Sequence, residues 1–109
     1  MNKPNAFAQR LIQGDTAIRE NFGIEVLSAD AGHSELALVV TDAWVNAAGF
    51  THGSVAYAMM DSACAYACGS LDVLGLTTSG NVTYVRGSQA GARLRATAKV
   101  VSQSRRVMT

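Results

Sequence analysis

From His52 to Cys68 the chain reads His-Gly-Ser-Val-Ala-Tyr-Ala-Met-Met-Asp-Ser-Ala-Cys-Ala-Tyr-Ala-Cys, with no proline and no glycine after Gly53. Nothing in this run breaks a helix, and Gly69 ends it. Its one charged residue is Asp61. A helix that is apolar on every side has no face for water and belongs inside a fold. Small residues at 54, 56, 58, 62, 63, 65 and 67 let a sheet or another backbone approach closely. The remainder of the chain must therefore supply a surface that wraps this helix.

The flanks read as that surface. Asn2 can cap a short helix with Pro4 in its first turn and Phe7, Leu11 and Ile12 as its apolar stripe. Gly14 stops it, and Asp15 can cap a second short turn through Asn21. Phe22, Ile24 and Val26 then alternate with Gly23 and Glu25, as in a half-buried strand. Ala31–Gly32–His33 reads as a turn, and Leu36, Leu38 and Val40 alternate again, which makes a hairpin. Residues 41–51 are irregular. From about residue 76 the period returns to two: Val82 and Tyr84 alternate with Asn81 and Thr83. Leu94, Ala96, Ala98 and Val100 then face one way, and Arg93, Arg95, Thr97 and Lys99 the other. Strands around one long buried helix give an α+β pattern. The last residues, Arg105 to Thr109, resemble the opening of another strand, so further strands are expected to belong to this domain beyond the sequence shown. At 109 residues the expectation is one domain over 1–109, incomplete at its C-terminal side.

Composition adds a partner. Apolar residues make up 49% of the chain, rich for a small monomer, so some of that surface is expected to be covered by another subunit. Neither a membrane-spanning run nor a secretory leader is expected, since Arg10 and Gln13 interrupt the first apolar residues and Asp61 the longest apolar stretch, and the expected location is the cytoplasm, away from membranes. The two cysteines, Cys64 and Cys68, are one helical turn apart and read as small buried thiols. With so few nitrogen and sulfur ligands, neither a metal nor another cofactor is expected. Residues 1–72 hold all eight acidic residues against three basic ones, a net of −5; residues 73–109 hold six basic residues and no acid. That asymmetry fits either an anionic partner or a solvated strand face. Few aromatic residues interleave with the basic ones, so nucleic acid is not the expected partner.

Two features bear on chemistry. An ionised Asp61 within a buried apolar helix would cost several kcal/mol unless compensated. It must be paired, neutral or functional, and no lysine or arginine lies between Arg19 and Arg86 to pair with it. The start of the helix, Thr51-His52-Gly53-Ser54, presents free backbone N–H groups at the positive end of its dipole. Those amides suit a polarised carbonyl or an oxyanion, and they suit ordinary capping by Thr51 equally well. Gly53 and Asp61 are separated by about 12 Å along the helix and turned by roughly 80°, so they cannot meet at one carbonyl. If both act, they act at different sites or across a symmetric dimer. The sequence has no Gly-x-Ser-x-Gly, no phosphate loop, no dinucleotide fingerprint and no His-Glu-x-x-His.

Residues 46–61, Asn-Ala-Ala-Gly-Phe-Thr-His-Gly-Ser-Val-Ala-Tyr-Ala-Met-Met-Asp, resemble the Asn-x-x-Gly-x-x-His-Gly-Gly…Asp motif of hotdog-fold thioesterases. The branch most similar is that of bacterial phenylacetate degradation. Asp61 to Cys68 continues the likeness, as do Asn81 to Arg86 and Gly91. The resemblance implies a curved antiparallel sheet wrapped around one long helix, and homodimers, often paired into tetramers, with active sites at the dimer interface. It implies hydrolysis of an aryl- or short to medium acyl-CoA, phenylacetyl- or hydroxyphenylacetyl-CoA favoured, or else acyl-CoA binding without turnover. Asp61 takes the role of nucleophile or general base, Gly53 N–H that of carbonyl polariser, and Asn46 that of orienting the carbonyl or water. His52 lines the same loop, and Thr77 falls where related enzymes place a hydroxyl that holds the water. Ser54, Asn81, Tyr84 and Arg86 fall where substrate is bound. Two departures stand out: Ser54 replaces the usual second glycine, and Gly87 replaces a common proline.

Overall fold

A computed structural model of the chain describes residues 4–109. Helices α1 (Ala6–Gly14) and α2 (Thr16–Phe22) come first, then strands β1 (Glu25–Asp30) and β2 (His33–Val39). A 3-10 turn over Asp42–Trp44, the long helix α3 (Gly53–Gly69) and strand β3 (Arg93–Lys99) complete the order. The expected cap at Asn2 lies outside the described residues; Asn5 caps α1, its side chain accepting the Ala8 N–H at 2.9 Å. Asp15 precedes α2 but makes no side-chain cap. Its Oδ2 instead accepts the Tyr66 hydroxyl at 2.8 Å, tying the α1–α2 corner to α3. Phe22 closes α2 rather than opening a strand.

The β1–β2 turn is two residues long. Ala31 and Gly32 have φ of 50° and 79°, the left-handed pair of a hairpin turn whose twist suits the flanking strands. His33 therefore begins β2 instead of sitting in the turn. The sheet is antiparallel with order β1-β2-β3. Leu36 faces Ala96 and Leu38 faces Leu94 across β2–β3, so the alternation in sequence becomes one apolar face. On the other face Arg93 pairs with Glu25 at 3.6 Å and Arg95 pairs with Glu35.

Helix α3 packs on β2 and β3 over that apolar face. The small residue Ala63 lets the backbone come so near that Ser34, buried on β2, donates its hydroxyl to the Ala63 carbonyl at 2.5 Å. Leu36, Leu38, Val55 and Tyr66 are the largest fully buried side chains, and burial of an aliphatic one of this kind stabilises by about 1.5–3 kcal/mol. The helix is not buried all round, however. Val55, Met59, Ala63, Tyr66 and Ala67 form its buried stripe; Tyr57, Met60, Asp61 and Cys64 are exposed. Three strands cover one side of a helix, so Asp61 lies on the side left open, and the expected cost of burying it does not arise within one chain.

Residues 73–92 contain no strand, although 81–84 alternate as one would. Alternation is a preference for two faces; a strand also needs a neighbouring backbone to pair with, and among the described residues 76–86 have none. This segment runs back along the open side of α3 instead. Gly75 lies beside Cys68, Thr77 meets Asp61, Gly80 lies under the Tyr57 hydroxyl, Tyr84 covers Gly53, and Ser88 bonds Thr51. The expected strand opening at Arg105 is likewise a bend: Val101 N–H donates to the Thr109 carbonyl at 2.7 Å, and Gln103 bridges Met108. Among the described residues no helix is long and apolar enough to cross a membrane.

Candidate active site

The first turn of α3 is held by His52, not by Thr51. The His52 backbone is extended, and its Nδ1 accepts the Ser54 N–H at 3.0 Å. The His52 carbonyl accepts the Val55 N–H at 3.0 Å, and the His52 N–H donates to the Trp44 carbonyl at 2.8 Å. Thr51 is occupied elsewhere: its N–H donates to the Ser88 carbonyl at 2.8 Å, and its hydroxyl meets the Ser88 hydroxyl at 2.7 Å. Among the described residues this leaves the Gly53 N–H without an acceptor, at the positive end of the helix dipole. Tyr84 closes over the same residue. Its hydroxyl donates to the Gly53 carbonyl at 3.0 Å, and a Cβ on residue 53 would stand 3.2 Å from its ring. The glycine is what allows that approach.

Asn46 organises the loop that leads to the helix. Its Oδ1 accepts the N–H groups of Ala48 and Phe50 at 3.0 and 3.1 Å, and its own N–H donates to the Phe50 carbonyl at 2.7 Å. The carboxamide oxygen is thus committed to the loop, and the NH2 end remains the donor. Phe50 in turn packs against Gly87, where a Cβ would come within 2.8 Å of its ring, so the glycine at 87 is matched to this contact.

Two turns along α3, Thr77 Oγ1 donates to Asp61 Oδ1 at 2.7 Å. The structure thus joins Asp61 with Thr77 at the middle of α3, and Gly53 with Tyr84, His52 and Ser54 at its start, and keeps the two groups apart. Asn81 is exposed on the segment that links Thr77 to Tyr84, and Arg86 is exposed just beyond Tyr84. Of the basic residues in the second half, Arg93 and Arg95 lie on the outer face of the sheet with glutamate partners, away from α3. Cys64, expected to be a buried thiol, is exposed one turn after Asp61, because the strands cover only the other side of α3, and Cys68 is half-buried; Tyr57, exposed one turn before Asp61, is found only by counting helical turns from Asp61. Partial desolvation first, then Cys68 and Asp61, push the Cys64 thiol above its ordinary range, and burial does the same to Cys68, which favours the protonated form of both. Concave surfaces lie elsewhere, one beside Ile12, Arg19 and Ile24 and one beside His33, Glu35 and Arg95.

Residues 48–109, which take in all of α3, the returning segment and β3, match the Thioesterase superfamily. The chain is 30% identical over 89 residues to acyl-coenzyme A thioesterase PaaI of Escherichia coli, a match covering 82% of this chain and 64% of that protein, so it spans just under two thirds of the relative's length. Its structure is similar to that of the PaaI protein from the E. coli phenylacetic acid degradation operon, with a TM-score of 0.83, 28% identity, and coverage of 90% of this chain and 75% of the other. The phenylacetic acid degradation protein PaaI of Thermus thermophilus, solved as a point mutant, gives a TM-score of 0.77 at 33% identity over 81% of this chain and 76% of its own. With a central helix laid on an antiparallel sheet and a match over more than half its length, this chain belongs to the thioesterase superfamily and has the hotdog fold.

Proposed function

We propose that the protein hydrolyses acyl-CoA thioesters to the free acid and CoA, acting as one domain in a homodimer, itself paired into a tetramer. Phenylacetyl- and hydroxyphenylacetyl-CoA are the favoured substrates, a preference that rests on similarity to the PaaI proteins. The observation that carries the reading is the Thr77–Asp61 hydrogen bond on the open face of α3. A hydroxyl that holds one carboxylate oxygen leaves the other free, in a fixed direction, to take a proton or to attack a carbonyl.

The chemistry follows from the start and the middle of α3. Gly53 N–H donates to the thioester carbonyl, aided by the helix dipole, and the His52–Asn46 loop orients the acyl group through donors not used in its own turn. Asp61 of the other subunit removes a proton from a water, which adds to the carbonyl carbon. The tetrahedral oxyanion collapses, the C–S bond breaks and CoA leaves as a thiolate, which needs little acid assistance. In the alternative course Asp61 itself adds to the carbonyl and the resulting anhydride is hydrolysed. Tyr84, Asn81 and Ser54 line the approach to Gly53, and Arg86 is positioned for a CoA phosphate. The separation of about 12 Å along α3 is the reason for a site shared between subunits.

A panel of aryl- and alkyl-CoA thioesters, followed by detection of free thiol, tests the reading. Thiol release with phenylacetyl-CoA at least severalfold above hexanoyl-CoA is expected. Binding of acyl-CoA without thiol release from any substrate would replace hydrolysis with acyl-CoA binding.

A further inference from the structure

We propose that Tyr57 selects the acyl group: its hydroxyl, resting against Gly80, bonds a hydroxyl carried on the aromatic ring of the acyl-CoA. The inference deepens the thioesterase reading above and rests on it.

The segment after α3 runs back along it and meets Asp61 at Thr77, Tyr57 at Gly80, Gly53 at Tyr84 and Phe50 at Gly87. Tyr57 is midway along α3 between Gly53 and Asp61, about 6 Å of helix rise from each. Both groups that the hydrolysis uses therefore have Tyr57 one turn away, whether one chain or two supply the site. Arg86 comes between Tyr84 and Gly87, on the loop side of Gly53 and away from Tyr57. A thioester bonded to the Gly53 N–H with its CoA phosphates towards Arg86 sends its acyl group along α3, over Tyr57. The reach fits: a phenylacetyl group measures about 5–6 Å from its carbonyl to the far end of its ring, close to the rise of four helical residues.

The surface met there is an aromatic ring that ends in an unused polar group. Tyr57 is 40% exposed, and Met60, one turn on, is 38% exposed. The hydroxyls of Ser54, Thr77 and Tyr84 are engaged with His52, Asp61 and Gly53. Among the described residues that of Tyr57 has no partner, and a phenol can both donate and accept. A Cβ at residue 80 would stand 2.5 Å from this hydroxyl and 3.5 Å from the ring carbon that bears it. Glycine at 80 thus leaves the hydroxyl its place, and a larger residue would displace it. An acyl ring laid against Tyr57 gains apolar and aromatic contact whatever its substituents. Only a ring that bears a hydroxyl also completes the bond to Tyr57, and that bond is the source of the selection.

Kinetics with phenylacetyl-CoA and with its meta- and para-hydroxy forms test the selection. Wild type should favour one hydroxylated form over phenylacetyl-CoA in kcat/KM. Tyr57→Phe keeps the ring and should reduce that ratio roughly fivefold, the effect of one partly exposed hydrogen bond. Gly80→Ala keeps the tyrosine, moves its hydroxyl and should reduce the ratio in the same direction. The double variant should fall no lower than Tyr57→Phe, since both changes break the same bond. Calorimetric binding of the same thioesters to Asp61→Asn protein reads that bond without turnover, and the Kd ratio should respond to Tyr57→Phe in the same way. Equal or weaker use of both hydroxylated forms by wild type overturns the proposal. So does a ratio that is the same with Tyr57 and with Tyr57→Phe, by kinetics or, where no thiol is released, by calorimetry. If wild type cleaves no thioester while the Kd ratio depends on Tyr57, the selection stands and the hydrolase reading falls.

Discussion

Thr77 and Asp61, sixteen residues apart in sequence, meet at 2.7 Å because the segment after α3 turns back along the helix that carries Asp61. The contact joins the one charged residue of α3 to a hydroxyl on the returning segment. It is exposed in the single chain, and this decides what substitutions there should do.

Asp61→Asn should remove activity and leave the fold intact. The amide keeps the shape and loses both charge and basicity. Because Asp61 is on the exposed side of α3, the melting temperature should hardly move, as for other surface changes of about 0.5 kcal/mol or less. Thiol-release kinetics beside a thermal melt check both halves. More than about a tenth of wild-type kcat in the variant contradicts a base or nucleophile role.

Thr77→Ala should lower kcat by about tenfold, the low end for a hydrogen bond to a charged group, since the pair is open to water. Thr77→Ser keeps the hydroxyl and should retain most of the rate. Equal losses in the two variants would mean that bulk at 77, not the hydroxyl, matters.

Arg86→Ala should raise the KM for acyl-CoA more than it lowers kcat, and the increase should shrink at high salt. Arg93→Ala and Arg95→Ala should leave KM unchanged, because both side chains lie behind the sheet with Glu25 and Glu35. Their loss should cost less than about 1 kcal/mol of stability, as exposed pairs do. KM measured across a salt series separates the three.

Tyr66 supplies a pH test of the fold. Burial first, and then the hydrogen bond to Asp15, push its phenol well above the ordinary value of about 10. The folded chain therefore holds this proton more tightly than the unfolded chain. The resulting stability is fully present below pH of about 10 and is lost as pH rises towards the folded value. Tyr66→Phe should flatten that alkaline loss. The same variant should cost about 1 kcal/mol at neutral pH, the effect of one hydrogen bond. Melting curves from pH 8 to 11 are the measurement.

The shared site can be tested by complementation. Gly53 is the first residue of α3 and His52 before it is extended, so Gly53→Pro removes the N–H in a backbone that suits proline, while its Cβ pushes back the exposed Tyr84 ring. Mixed with Asp61→Asn under verified subunit exchange, about half of the dimers pair one of each, and each such dimer has one intact site of two. Activity should return to about a quarter of wild type. No recovery, with exchange confirmed by mass, would mean that both residues serve the same site from one chain.

The long helix, its limits near His52 and Gly69, the β1–β2 hairpin and the inward face of β3 are all legible in sequence. Each depends on local properties: helix breakers, a two-residue turn, and strict alternation beside arginines. Asp61 also stands out in sequence, as an unusual charge in an apolar run, while Gly53 and Thr77 are picked out by their match to the thioesterase motif. What required the tertiary structure was every question of what lies opposite. Asp61 is exposed because three strands cover one side of α3; composition cannot say how many. Residues 81–84 alternate like a strand yet have no backbone to pair with. His52 caps the helix instead of Thr51, because Ser88, far away in sequence, takes up both the N–H and the hydroxyl of Thr51. Arg93 and Arg95 fit an anionic partner or a solvated strand face by sequence, and the register of β3 sets them behind the sheet beside two glutamates. Local sequence determines which faces a segment has. Only the packing of distant segments decides what each face meets.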